Sequence, residues 1–194
     1  MQFLVRHQPL CYHLFVSAGA VASHQIDVRI FPAFRGKASG PRLRLVAQQA
    51  LEAGYGPTNV SLGLSLALAD DETVQRLNRD YRGLDETTDV LAFAFHHPGH
   101  YEGEGEPPPI QEDDPFVATP QGEDFLGEVV ISYPQCVRQA QSEGCEINEE
   151  LALLVTHGVL HILGYDHLTP DEERVMRERE AAALAAVGLH RRQT

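Results

Sequence analysis

From Glu150 to Leu163 the sequence ELALLVTHGVLHIL is apolar almost all the way round a helix, and a helix of that kind has to be enclosed by the rest of the protein. This one segment constrains the fold most, because every other element must wrap it. Two of its few polar side chains are histidines, His157 and His161, and a third, His167, follows just beyond Gly164. A buried apolar helix has little use for two imidazoles in register unless something binds both.

The wrapping elements follow from hydrophobic period. IDVRIF (Ile26 to Phe31) and NVSLGLSLAL (Asn59 to Leu68) alternate as half-buried strands do, and DVLAFAF (Asp89 to Phe95) and LGEVVIS (Leu126 to Ser132) read as two more. Leu43, Val46, Ala47, Ala50 and Leu51 recur at helical spacing up to Gly54. Asp70 can cap a helix whose stripe is Val74, Leu77 and Tyr81, whose polar face carries Arg76, Arg79 and Arg82, and which stops at Gly83. Pro134 begins another helix, and Asn148 opens the apolar one. Thr169, Pro170 and Glu172 combine a cap, a first-turn proline and a capping box for a last helix running to about Gly188. The expected fold class is α+β: one domain over residues 25–190, with a small mixed four-stranded sheet and the apolar helix in its middle, carrying a zincin-like metal site.

Two stretches stand apart. Residues 1–24 read as a poorly ordered N-terminal extension; their apolar run is broken by His7, Gln8, Pro9 and His13, too early for a signal peptide and too short for a membrane span. Residues 97–124 form an acidic, Pro- and Gly-rich insertion with too few apolar side chains to offset its ordering entropy. That insertion holds eight acids and no Lys or Arg, so it accounts for eight of the thirteen net negative charges. The charge of the whole chain therefore does not exclude an RNA partner, although phosphate contacts need Lys and Arg. Outside it the bases cluster, at Arg35, Lys37, Arg42 and Arg44 and again at Arg76, Arg79 and Arg82. Cys11, Cys136 and Cys145 are an odd set without a CxxC pair, which fits a reducing compartment better than a disulfide framework or a thiolate zinc site.

His157 and His161 lie one helical turn apart on one face, close enough to share an ion. Gly164 lets the chain turn back, so His167 can reach the same ion. Three imidazoles and a water is the usual composition of an open catalytic zinc site, although nickel, cobalt and copper suit the same donors. The spacing matches HExxHxxGxxH of the metzincin proteases except at Gly158, where a protease needs its Glu as general base. Asp166 is the nearby carboxylate; its side chain either acts as a base or simply caps the turn.

HGVLHILGYDH, together with LNRDYRGLDETTDVLAF (Leu77 to Phe93), FLGEVVIS (Phe125 to Ser132) and the helix beginning TPDEERVM, resembles the YbeY endoribonucleases from about Ile26 to Gly188. Ala92 and Glu128 stand where that family often has Ser and Asp. The resemblance implies that His157, His161 and His167 hold one Zn2+ ion and that Arg82 is the functionally important basic residue. Its guanidinium suits the negative charge that builds on a phosphodiester's non-bridging oxygens, while zinc brings a water pKa to about 7 without a strong carboxylate base. The implied protein is a cytoplasmic, zinc-dependent endoribonuclease specific for single strands, acting in small-subunit ribosomal RNA maturation and ribosome quality control. Its partners would be ribosomal RNA and ribosomal subunits rather than DNA or a membrane. A zinc-stabilised assembly factor without catalysis and a metal-dependent peptidase are the alternatives; Thr88 and Asp89 are expected to shape a strand start beside the cleft.

Overall fold

A computed structural model describes residues 23–96 and 124–192. Its elements run β1 (Gln25–Ile30), α1 (Gly40–Tyr55), β2 (Gly63–Ala69), α2 (Asp71–Arg82), β3 (Val90–Ala94), β4 (Phe125–Ser132), α3 (Tyr133–Glu143), α4 (Ile147–Ile162) and α5 (Pro170–Ala186). The four strands form one mixed sheet in the order β1-β2-β4-β3. β1, β2 and β4 are parallel, and β3 runs antiparallel to β4. The α+β architecture expected from the hydrophobic periods is therefore the one that forms. The N-terminal extension and the acidic insertion, apart from Ser23, His24 and Asp124, lie outside the described residues.

The sheet is covered on both faces, as parallel strands require. On one face Leu64, Leu66 and Leu68 of β2 and Val129 and Ile131 of β4 meet α1 through Val46, Ala47, Ala50 and Leu51, and α4 through Leu151, Val155 and Val159. The opposite face is shallower: Ala67, Ala69 and Val130 receive Val74 and Leu77 of α2, with Leu91 of β3. The small side chains of β2 on that face let α2 sit close.

Helix α4 is the centre, packed against α1, α3, α5, β3 and β4. Leu151, Val155, Val159 and Leu160 are at most 1% exposed. Each such side chain contributes about 1.5–3 kcal/mol by leaving water. The helix starts at Ile147, one residue before Asn148, and its cap residue Glu146 makes no side-chain cap hydrogen bond. Ile147 packs onto the main core, so burial rather than a capping side chain sets that start. By contrast α5 begins on the expected capping box, Thr169 accepting from the backbone of Glu172 and Glu172 from that of Thr169. α2 begins at Asp70, whose carboxylate accepts from Thr73 N–H at 2.9 Å, and ends at left-handed Gly83.

Candidate metal centre

The last two turns of α4 present His157 and His161 on one side, their ring centroids 4.5 Å apart and their Nε2 atoms 3.0 Å apart. The chain then leaves the helix at Gly164, whose φ of +85° is a conformation other residues adopt only under strain. Backbone bonds from Gly164 to His161 and from Tyr165 to Leu160 close that turn. The Tyr165 hydroxyl donates to Gly54 O at 2.8 Å, which ties the turn to the end of α1. His167 is thereby brought back beside the helix, its ring centroid 5.4 Å from that of His157 and 5.2 Å from that of His161. One ligand atom from each of the three lies within 4.8 Å of the others.

This donor set fits a divalent metal. Two imidazole nitrogens bound tetrahedrally at zinc distances would stand about 3.3 Å apart, close to the helix pair's spacing. Burial, and then the neighbouring His157 and His167, push the His161 pKa down to about 4, so at neutral pH this imidazole is uncharged with a lone pair to give. The third histidine comes from an exposed loop and lies on the open side of the cluster.

His157 is oriented by a residue that the periodic reading does not single out. Its Nδ1 lies 2.9 Å from Oε1 of Glu180 on α5, and Arg191 Nε donates to Oε2 of the same carboxylate at 2.6 Å. Glu180 is 3% exposed. Burial alone would raise its pKa, but the hydrogen bonds from His157 and Arg191 outweigh burial and hold it below the ordinary carboxylate value. The signal in the sequence was an acid on an apolar stripe: Met176, Glu180, Ala183 and Leu184 are the buried residues of α5.

Gly158 has a packing reason. A Cβ built there would stand 2.6 Å from Val129 Cγ1 and 3.2 Å from Val90 Cγ2, so the position faces the sheet and takes a side chain only if those valines shift. A glutamate at this point would meet β4 rather than water. Asp166 accepts the backbone N–H of His167 at 2.8 Å, the turn-capping role among its two readings.

Beside the histidines a cavity of about 300 Å³ opens between α4, α5 and the start of β3. Among the residues lining it are His157, His167, Asp89, Glu150, Arg177 and Arg191. Asp89 shapes the strand start as expected, accepting from Val90 N–H at 2.8 Å and from Gln139 at 2.9 Å. The structure thus brings the three histidines together. Arg82 is half-buried in the last turn of α2, the helix whose Val74 and Leu77 pack on the other face of the sheet, and does not line this cavity. Residues 83–88 connect it to Asp89, which does.

A sequence model of the family described as Endoribonuclease YbeY matches residues 36–188. Three proteins named Endoribonuclease YbeY show how far the likeness extends. That of Halalkalibacterium halodurans is 45% identical over 66% of this chain and 74% of its own. The Moorella thermoacetica protein is 43% identical over 76% of this chain and 84% of its own. In Dehalococcoides mccartyi strain 195 the figure is 38% over 82% of this chain and 88% of the relative. Matched by the family model over residues 36–188 and by these relatives over 66–82% of its length, the chain belongs to the YbeY endoribonuclease family.

Proposed function

We propose that this protein is a zinc-dependent endoribonuclease that cuts single-stranded RNA during small-subunit ribosomal RNA maturation and ribosome quality control in the cytoplasm. The observation that carries the reading is the convergence of His157, His161 and His167 beside an open cavity, in a chain whose relatives are named endoribonucleases. The three histidines would hold the ion, with Glu180 Oε1 on the Nδ1 of His157. When bound, the ion supplies Lewis acidity toward a phosphoryl oxygen and makes water acidic enough to react near neutral pH. Arg82 is assigned the charge on the non-bridging phosphate oxygens by the family resemblance and not by the cavity, which it does not line; a planar guanidinium can donate two parallel hydrogen bonds to such oxygens. Position 158 has no room for the carboxylate base of a metzincin, which counts against a peptidase. Among the described residues no helix is long and apolar enough to cross a membrane.

The test is metal analysis of purified protein together with cleavage of an unstructured RNA oligonucleotide. Zinc-loaded protein is expected to cut, a chelator to stop cutting, and His157→Ala and Arg82→Ala each to abolish it. Cutting that persists in both variants would sink the reading. Loaded wild-type protein that binds ribosomal subunits but yields no product would favour the non-catalytic assembly factor instead.

A further inference from the structure

The segment after α5 folds back over the metal centre and places two arginines on two buried carboxylates. Arg191 reaches Glu180, and Arg192 reaches Glu150 of α4. Both carboxylates border the cavity beside the histidines, and their side chains are only 4% and 6% exposed. The first contact continues inward: Arg191 Nε to Glu180 Oε2 at 2.6 Å, then Glu180 Oε1 to His157 Nδ1 at 2.9 Å. The far side of the same ring presents Nε2 to His161 Nε2 at 3.0 Å.

From this chain of contacts we infer that Glu180 is a positioning residue of the metal centre and that Arg191 is its anchor, so that the C-terminal segment is a working part of the site. An imidazole can bind a metal through either nitrogen, and which one is decided by the hydrogen bond the other makes. Glu180 accepts only, so the proton of His157 stays on Nδ1 and the lone pair stays on Nε2, the atom that meets His161. A carboxylate held by one hydrogen bond can still swing about its own side chain. The second oxygen, taken by Arg191, removes that freedom and fixes the ring plane. Carboxylates and carbonyls in this relation to a metal-ligating histidine commonly set metal affinity by about 10-fold to 100-fold. Met176, Ala183 and Leu184 share the buried stripe with Glu180; an apolar residue at 180 would complete that stripe, and the carboxylate stands there instead.

The inference rests on the reading of the three histidines as a metal site, and the experiment separates the two. Zinc dissociation constants are measured by competition with a chromophoric chelator, at one pH, for wild type, Glu180→Ala, Glu180→Gln, Arg191→Ala and, as a control on the solvent face of α5, Arg174→Ala. The cobalt absorption spectrum and the metal-free melting temperature are recorded for each. Glu180→Ala is expected to weaken zinc binding by about 10-fold to 100-fold, and Arg191→Ala by about 10-fold. Glu180→Gln should recover part of the loss, because its amide oxygen still accepts from Nδ1. Arg174→Ala should match wild type, and the cobalt spectrum should change in Glu180→Ala alone or most. A purely structural ion pair would instead lower the metal-free melting temperature while leaving zinc affinity and the cobalt spectrum of folded protein as in wild type, which overturns the inference. Wild-type protein that holds no zinc overturns the metal reading as well.

Discussion

The two histidines on α4 and the one on the loop reach the same point by different physics. His157 and His161 ride on a helix enclosed on nearly every side, one turn apart, so their spacing is set by helix geometry and by the core that immobilises the helix. His167 lies on an exposed turn whose shape depends on a left-handed glycine, the Tyr165 tether to Gly54 and the Asp166 side chain on its own backbone. The helix pair is preorganised by burial, whereas the third donor is held by a few local bonds. A site built this way has a rigid half and an adjustable half, and its adjustable half lies on the side open to solvent.

The largest effects should come from removing the donors, and they should differ between the halves. His157→Ala and His167→Ala are both expected to abolish tight zinc binding, as read by chelator competition. Only His157→Ala should also lower the stability of the metal-free protein, by about 1–3 kcal/mol, since it strips a buried carboxylate of one partner. Equal metal-free melting temperatures for the two variants would break the comparison.

Acid probes the rigid half next. His161 titrates at about 4 in the folded protein against an ordinary 6.5, burial and its histidine neighbours being the causes. The unfolded chain therefore takes up this proton first as pH falls, and a state that binds fewer protons loses ground. Stability present above about pH 6.5 is lost on the way down to about pH 4, and the loss ends once the folded protein is protonated too. The total from this group is about 3 kcal/mol at most. Chemical denaturation of metal-free protein at pH 7 and pH 4.5 should show the decline, and His161→Gln should reduce it.

Gly158→Ala strains the contact between α4 and the sheet without touching a donor. The added methyl falls against Val129 on β4, where overpacking costs about 1–3 kcal/mol, offset by about 1 kcal/mol from alanine's better helix propensity. A net loss of up to about 2 kcal/mol by thermal unfolding is expected. No loss would mean that α4 is less tightly seated than the helix half of the comparison requires.

How much of this was legible in the sequence depended on range. The triad could be read because its parts are local: two positions on one helical face, a glycine to turn the chain, and a third histidine just after it. The mixed sheet could be read from alternation in β1 and β2 and from the apolar runs of β3 and β4. Glu180 is visible only as an acid on an apolar stripe; its partner is not, because His157 is 23 residues away and only packing of α5 on α4 brings them together. Nor is the reason for Gly158: the absent protease glutamate is visible at that position, but Val129 and Val90 belong to other strands. Which face of the sheet α2 covers is likewise set by packing, since an amphipathic stripe alone does not name its face.

Tyr165→Phe tests the adjustable half with the smallest change. The hydroxyl donates to Gly54 O, and Gly54 sits where α1, Leu160 and Leu163 crowd so closely that a Cβ would stand 2.5 Å from Leu163 Cδ1. Deleting the hydroxyl leaves the ring in place and removes one bond to a carbonyl at the end of a helix, about 0.5–1.5 kcal/mol of stability. Because that bond holds the turn that presents His167, zinc affinity should fall by about the same free energy, roughly 2-fold to 10-fold. His157 and His161 are held independently of this tether, so the cobalt spectrum should keep the signature of their two nitrogens. A Tyr165→Phe protein with unchanged zinc affinity but reduced stability would show that the turn keeps its shape without the tether, and that His167 is as firmly placed as the pair on the helix.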